Sequence, residues 1–509
     1  MKYNFYVLPF FLAELYVKNS NTLQCLIKIQ PMKTMKSLFL FFAGFCLIVA
    51  CNKDNQVFMP GDGFQTQNYT FICGKVFKVH PTNGTDITAD LKQAFDDAKA
   101  AGPGSVVQLP KGNFELGFIE IDEFYGSFVG AGIGKTVITV KTGIDCNTIE
   151  QNQWGFLISF VGGDVFMSDM TLKYPKGELV CNDGNLTGFL FFADYNAVYT
   201  SKNKYINAWV NNVEFTGEKL GDWWYSCWTA LDEGHDTKVA ESPRSHIDLK
   251  VTNCTFNEMG WGTQTGYIDE GKVTLGSKNH GNTYNNCAEA AVFYDFINVS
   301  FQIVDNKFNV PVSGWALDID NTSSIAETQT KNPSFIIEGN EFNLIGGYGL
   351  WTHDHRLVSN PEENLPVLFQ VRNNKFNLRD DAPTGTKSSG VESYEVRGPV
   401  FSDNQFTGTG DIGLNIAPSG YSDAYAEDGL IIGNNFSRST FATAAILLNE
   451  WTKDWDVIRN VNASVINQGT DNVIKNCNIR HHDHFGQRWP SPEDHKNFSK
   501  GKFRGPHHE

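Results

Sequence analysis

Short segments that each end in an aromatic recur along the middle of this chain, and that recurrence restricts its fold more than any other feature. VNNVEF ends at Phe215, VTNCTF at Phe256, IVDNKF at Phe308, IEGNEF at Phe342, VRNNKF at Phe376, FSDNQF at Phe406, IIGNNF at Phe436 and IKNCNI at Ile479, with a weaker copy, MSDMTL, ending at Leu172. From Phe308 to Phe436 the successive spacings are 34, 34 and 30 residues. A period in this range marks a stacked array, in which each unit buries its apolar side against its neighbours. Every copy reads as an apolar strand, a turn rich in Asn and Gly, and an aromatic returning to the core. Asn340, Asn374, Asn404 and Asn434 share one turn position, where their amides can bond the backbone and stack unit on unit. Polar and apolar residues alternate at strand period over the same region, and helical windows are few.

Ahead of the array, Leu91, Ala94, Phe95 and Ala98 fall at helical spacing, with Thr88 placed to cap the start and Gly102-Pro103 to stop the helix. A strand, Val106-Val107-Gln108-Leu109, and a Pro-x-Gly-x-aromatic string, Pro110 to Phe114, follow. Helix, strand and string, together with the array, resemble the pectate-lyase-like family. The resemblance covers residues 86–480 and implies an all-β, single-stranded right-handed parallel β-helix whose first coil is covered by the helix. It does not choose a chemistry, because this fold hosts lyases, hydrolases, esterases, epimerases and adhesins. Gly130-Ala-Gly-Ile-Gly-Lys135-Thr136 imitates a phosphate loop, but Val129 stands where the first glycine is required and no helix follows.

The N-terminal region reads as targeting. Lys33 and Lys36 precede an apolar stretch, Leu38 to Val49, too short for a comfortable membrane span. Ile48-Val49-Ala50-Cys51 resembles a lipoprotein signal, which implies a lipid on Cys51 and attachment to the outer membrane through that anchor alone. Asn52-Lys53-Asp54-Asn55 is similar to the tether that takes Bacteroidetes lipoproteins to the cell surface. Residues 1–50 are therefore an upstream extension and signal, with Met32 or Met35 as the true start. Residues 51–85 are the lipidated tether and N-terminal segment, 86–480 the array, and 481–509 a polar tail holding six of the twelve histidines. Past Cys51, seven cysteines remain without CxxC spacing; Cys254 and Cys477 sit at equivalent repeat positions and read as small buried hydrophobes. A net charge of −16 argues against nucleic acid and anionic membrane surfaces as partners. A glycan partner and a monomeric state are expected. Asn-x-Ser/Thr sites such as Asn298 and Asn321 reflect asparagine abundance.

Candidate chemistry comes from aligning the strand that follows each turn. Ala291–Asp295 is set against Ala316–Asp320, Gly349–His353, Gly390–Tyr394, Gly413–Ala417 and Ala445–Asn449. Side chains alternate along a strand, so the Val/Leu/Ile column points inward and the third and fifth columns outward. The outward set contains Asp295, Asp318, Asp320, Trp351, His353, Glu392 and Tyr394. Asp295, Asp318 and Asp320 would supply acid and base, His353 and Glu392 would support them, and Trp351 and Tyr394 would hold sugar rings. Residues i and i+2 on a strand lie about 6.6 Å apart, which suits an inverting pair, whereas Asp295 and Asp320 on adjacent coils would approach the roughly 5 Å retaining distance. Crowded carboxylates raise one another's pKa and create a usable acid. The same carboxylates would bind Ca²⁺ in a lyase, with His353, Arg356 or Arg397 as base. The family's lyase strings are absent, as is the hydrolase pattern Asn-Thr-Asp, Asp-Asp, Gly-His-Gly. A second cluster, Trp223, Trp224 and Trp228 ahead of Asp232, Glu233 and His235, would form a further sugar subsite. The expectation is a polysaccharide-cleaving glycoside hydrolase, against a Ca²⁺-dependent lyase or a non-catalytic glycan-binding or adhesin-like lipoprotein.

Overall fold

The computed structural model describes residues 2–6, 12–16, 26–28, 74–82, 84–141, 156–174, 188–193, 205–217, 229–234, 246–311, 313–321, 330–354, 366–382, 385–417 and 426–479. Cys51, Trp223, Trp224, Trp228, Arg356 and the tail lie outside them. Residues 2–6, 12–16 and 26–28 form a small antiparallel sheet.

From Val76–Lys78 to Asn478–Ile479 the chain winds as a parallel solenoid. Each strand pairs in parallel with the strands one turn before and one turn after it. The coil has three sides. In one turn, Glu289–Val304 bends at Asp295 to supply two of them and Lys307–Val310 supplies the third. This is the right-handed parallel β-helix that the family resemblance implies.

Apolar residues fill the interior in columns. On the third side Phe215, Phe256, Tyr284, Phe308, Phe342, Phe376, Phe406 and Phe436 stack with centroids 4.5–5.1 Å apart. That spacing follows the strand repeat of about 4.8 Å, so equivalent rings must meet face to face. Small residues on the opposite side give the rings room: a Cβ on Gly349 would lie 2.9 Å from the Phe376 ring.

The asparagine turn is a ladder. Asn340 donates its backbone N–H and its Nδ2 to Asn374 Oδ1 (2.9 and 3.0 Å), while its Nδ2 also reaches Ile303 O (2.8 Å). The pattern repeats at Asn282, Asn306, Asn374, Asn404 and Asn434, ending on Asn460. Cysteines take the positions at its two ends: the Cys254 N–H donates to Asn282 Oδ1, and Asn460 Nδ2 lies 3.8 Å from Cys477 Sγ. Cys254 is buried as expected, whereas Cys477 is only partly so.

The N-terminal helix spans Thr88–Ala101 and buries Leu91, Ala94, Phe95 and Ala98, with Gly102 (φ 98°) ending it. Phe95 packs against Phe124, Phe128 and Phe160 of the first coils. Thr88 does not cap it. Asp86 accepts the Thr88 N–H (3.0 Å) and hydroxyl (2.6 Å), while Thr88 Oγ1 accepts the Gly117 N–H (2.8 Å) and ties helix to coil.

Candidate functional site

One side of the solenoid differs from the other two. It is built by Ile158–Val161, Gly188–Ala193, Thr229–Gly234, Trp261–Gly266, Glu289–Tyr294, Trp315–Asn321, Tyr348–Asp354, Ser389–Tyr394 and Ile412–Ala417. Residues 175–187, 218–228, 235–245 and 355–365, which lie outside the described residues, each adjoin one of these strands in sequence. Trp223, Trp224 and Trp228 belong to the connection that leads into Thr229–Gly234 on this side.

The register agrees with the sequence alignment from Trp315 onward. Asp318 pairs with Trp351, Trp351 with Glu392 and Glu392 with Asn415; Asp320 pairs with His353 and His353 with Tyr394. The preceding coil is shifted by one residue. Tyr294, not Asp295, is the partner of Asp320, and Val292 is the partner of Asp318. Asp295 stands at the bend within Glu289–Val304, in a left-handed conformation (φ 46°), so it is not stacked on Asp320 as the alignment expected. Ala290 and Ala291 are both buried, and either fits the small inward column. Composition therefore cannot choose between the two registers.

The correct register adds residues that the alignment missed. Glu289, Trp315 and Tyr348 share an outward column, with Trp261 one turn earlier. Trp315 and Tyr348 lie one residue, and Glu289 two, ahead of the aligned segments, and Trp261 belongs to a coil outside the alignment. Trp315 stacks on Tyr348 (5.8 Å), Tyr348 meets Trp351 edge to face (5.7 Å), and Trp351 meets Tyr394 (4.8 Å). An aromatic surface thus runs across three turns and encloses the carboxyls.

Burial changes those carboxyls. Desolvation first, then the charges of Glu289 and Asp320, hold the Asp318 pKa well above the usual carboxylate range. Its Oδ1 is shut off from solvent and has no hydrogen-bond partner. Although part of the residue is solvent-exposed, packing and neighbouring charge both favour the protonated form of this carboxyl. Burial also pushes Glu289 up to about 7 against a hydrogen bond from Trp261 Nε1 (2.7 Å). Glu392 likewise rises to about 7, through burial that outweighs hydrogen bonds donated by Asn415 Nδ2 and Tyr394 Oη (3.1 Å). Tyr348 is raised to about 12 by burial and by the nearby Glu392 charge.

His353 is buried between two acids. Its Nε2 lies 2.7 Å from Glu395 Oε2 and its Nδ1 lies 3.7 Å from Asp320 Oδ1. Among the described residues no group of three or more His, Cys, Asp or Glu is placed to hold a metal ion. Asp318, whose pKa burial raises, and Asp320, two residues along the strand at about 6.6 Å, are adjacent outward carboxyls.

The fold and this side define a β-helix protein with an acidic, aromatic-lined face. No protein-family model matches the sequence, and no curated protein matches it. Among solved structures it is similar to the A-module of the Azotobacter vinelandii mannuronan C-5 epimerase AlgE4, at 16% identity and a TM-score of 0.40 over 78% of this chain and 94% of that one. The catalytic domain of a GH87 alpha-1,3-glucanase aligns at 10% identity and a TM-score of 0.35, over 84% of this chain and 71% of that one. The Yersinia enterocolitica family 28 exopolygalacturonase aligns at 11% identity and 0.34, over 80% and 78%. Likenesses this distant assign no activity to this chain.

Proposed function

We propose that this face cleaves a polysaccharide by hydrolysis, with Asp318 as general acid and Asp320 as the base that activates water. One observation carries the reading: a carboxyl whose pKa burial holds well above the usual range, with an unpartnered buried oxygen, stands one outward position from a second carboxyl and beside a run of aromatic rings. A separation of about 6.6 Å falls at the short end of the range used by inverting glycosidases, which must fit a water between acid and base. The flat faces of Trp315, Trp351 and Tyr394 suit sugar rings, and Glu392 borders the same surface two turns from Asp318. The proposal also takes Cys51 as the lipid-bearing residue of a surface-anchored protein, on the strength of the signal-like sequence before it.

The test is a panel of neutral and acidic polysaccharides, following reducing ends and the ultraviolet absorbance of unsaturated uronates together. Reducing ends without absorbance are expected. Asp318→Asn and Asp320→Asn should each lower kcat roughly a hundred- to ten-thousand-fold while the fold persists. Absorbance appearing with the reducing ends would make the protein a lyase. Glycan binding without any product would make it a binding protein.

A further inference from the structure

Glu395 stands directly after the strand Ser389–Tyr394. It is fully buried, and its backbone is left-handed (φ 49°). A non-glycine residue in that region and a carboxylate removed from water both cost free energy, so something nearby must offset them. One contact that does so is His353 Nε2, 2.7 Å from Glu395 Oε2. The other ring nitrogen faces Asp320 at 3.7 Å. A carboxylate–imidazole–carboxylate row therefore crosses three successive turns, from the buried Glu395 to Asp320, whose side chain is 43% exposed on the face. Tyr394 lies beside the ring at 6.1 Å, and the buried Asp354 follows His353 directly in the chain.

We infer that Glu395 is a positioning residue for the reaction proposed above: it takes the Nε2 proton of His353 and so turns Nδ1 toward Asp320. An imidazole has two ring nitrogens, and committing one to a fixed acceptor fixes the direction of the other. Removing Glu395 takes away the 2.7 Å contact at Nε2, and rotation about the ring's terminal torsion is broad. Glu395 lies beneath the face and does not touch a glycan, so its effect passes through His353 to Asp320. This inference rests on Asp320 being the base.

The experiment uses the full chain and two variants. Glu395→Ala should lower kcat about 10- to 100-fold with KM held within about twofold. Glu395→Gln, whose amide oxygen still accepts the Nε2 proton, should recover most of the rate. A lower thermal midpoint with unchanged kcat per folded molecule in Glu395→Ala would make the contact structural and overturn the inference. A second readout needs no cleavage. Nitrogen-15 histidine spectra should show a slowly exchanging Nε2 proton, assigned by its loss in His353→Gln, that disappears in Glu395→Ala. Its persistence there would overturn the inference whatever the activity. Its disappearance in a protein that cleaves no glycan would leave the clamp standing and sink the hydrolase reading instead.

Discussion

Glu392 lies two turns from Asp318 in the same outward column, with Trp351 between them, and burial raises both carboxyls. Each acts as a proton store whose occupancy is tied to folding. Glu392 has an ordinary value of 4.5 and a folded value of about 7. Between those limits the folded chain binds more protons than the unfolded one, so stability falls as pH rises through the window. The loss is complete above the folded value and is worth about 3 kcal/mol for a shift of this size. Glu392→Gln keeps an oxygen for Asn415 and Tyr394 but removes the ionisation. The variant should match the parent near pH 5 and exceed it by about 2 kcal/mol at pH 8, as read by thermal unfolding across pH. Glu289, shifted in the same direction, should supply the slope that remains. An equal pH slope in parent and variant would show that Glu392 is not desolvated as described.

Two asparagine ladders run along the solenoid, and their burial differs. The inner one passes through Asn340, Asn374 and Asn404, all buried. The outer one passes through Asn285, Asn309, Asn343 and Asn377, linked side chain to side chain at 2.6–2.8 Å and partly exposed. Removing Asn374 strands the N–H and Nδ2 of Asn340 and the carbonyl of Ile337. With no water to replace these partners, Asn374→Ala should cost about 3 kcal/mol. Asn377→Ala leaves groups that water can reach and should cost less than about 1 kcal/mol. Urea denaturation of the two variants compares them directly, and equal losses would mean that the inner ladder is not sealed from solvent. Cys254 and Cys477 occupy the ladder position in the coils that flank Asn282 and Asn460.

Each coil of the whole molecule touches only its neighbours along the axis, so stability is a sum of local terms. A break made at Asn374 should therefore speed amide exchange in the coils holding Phe342, Phe376 and Phe406, and leave the helix-capped coils around Phe114 and Phe128 unchanged. Exchange followed by mass spectrometry separates that outcome from uniform loosening, which would mean that the coils melt as one unit. The local character of these coils also explains which features were legible in the sequence. The repeat, the ladder and the capping helix depend on residues close in sequence or at a fixed period, where turn geometry and side-chain alternation leave one solution. The strands carrying Asp318, Trp351, His353 and Glu392 align because Leu317, Leu350 and Val391 each follow a small residue and mark the inward column. The coil before them has Ala290 and Ala291 side by side, and only stacking against Trp315–Asn321 decided that Tyr294, not Asp295, faces Asp320. Glu395 was hidden for another reason. It follows its strand, outside any alternation, and only the winding of successive turns brings it beneath His353. Sequence alone determined how this chain winds and which side carries acids and rings. Contact between turns decided which carboxyls meet and which are stripped of water, because proximity and desolvation belong to the packed coil and to no single segment.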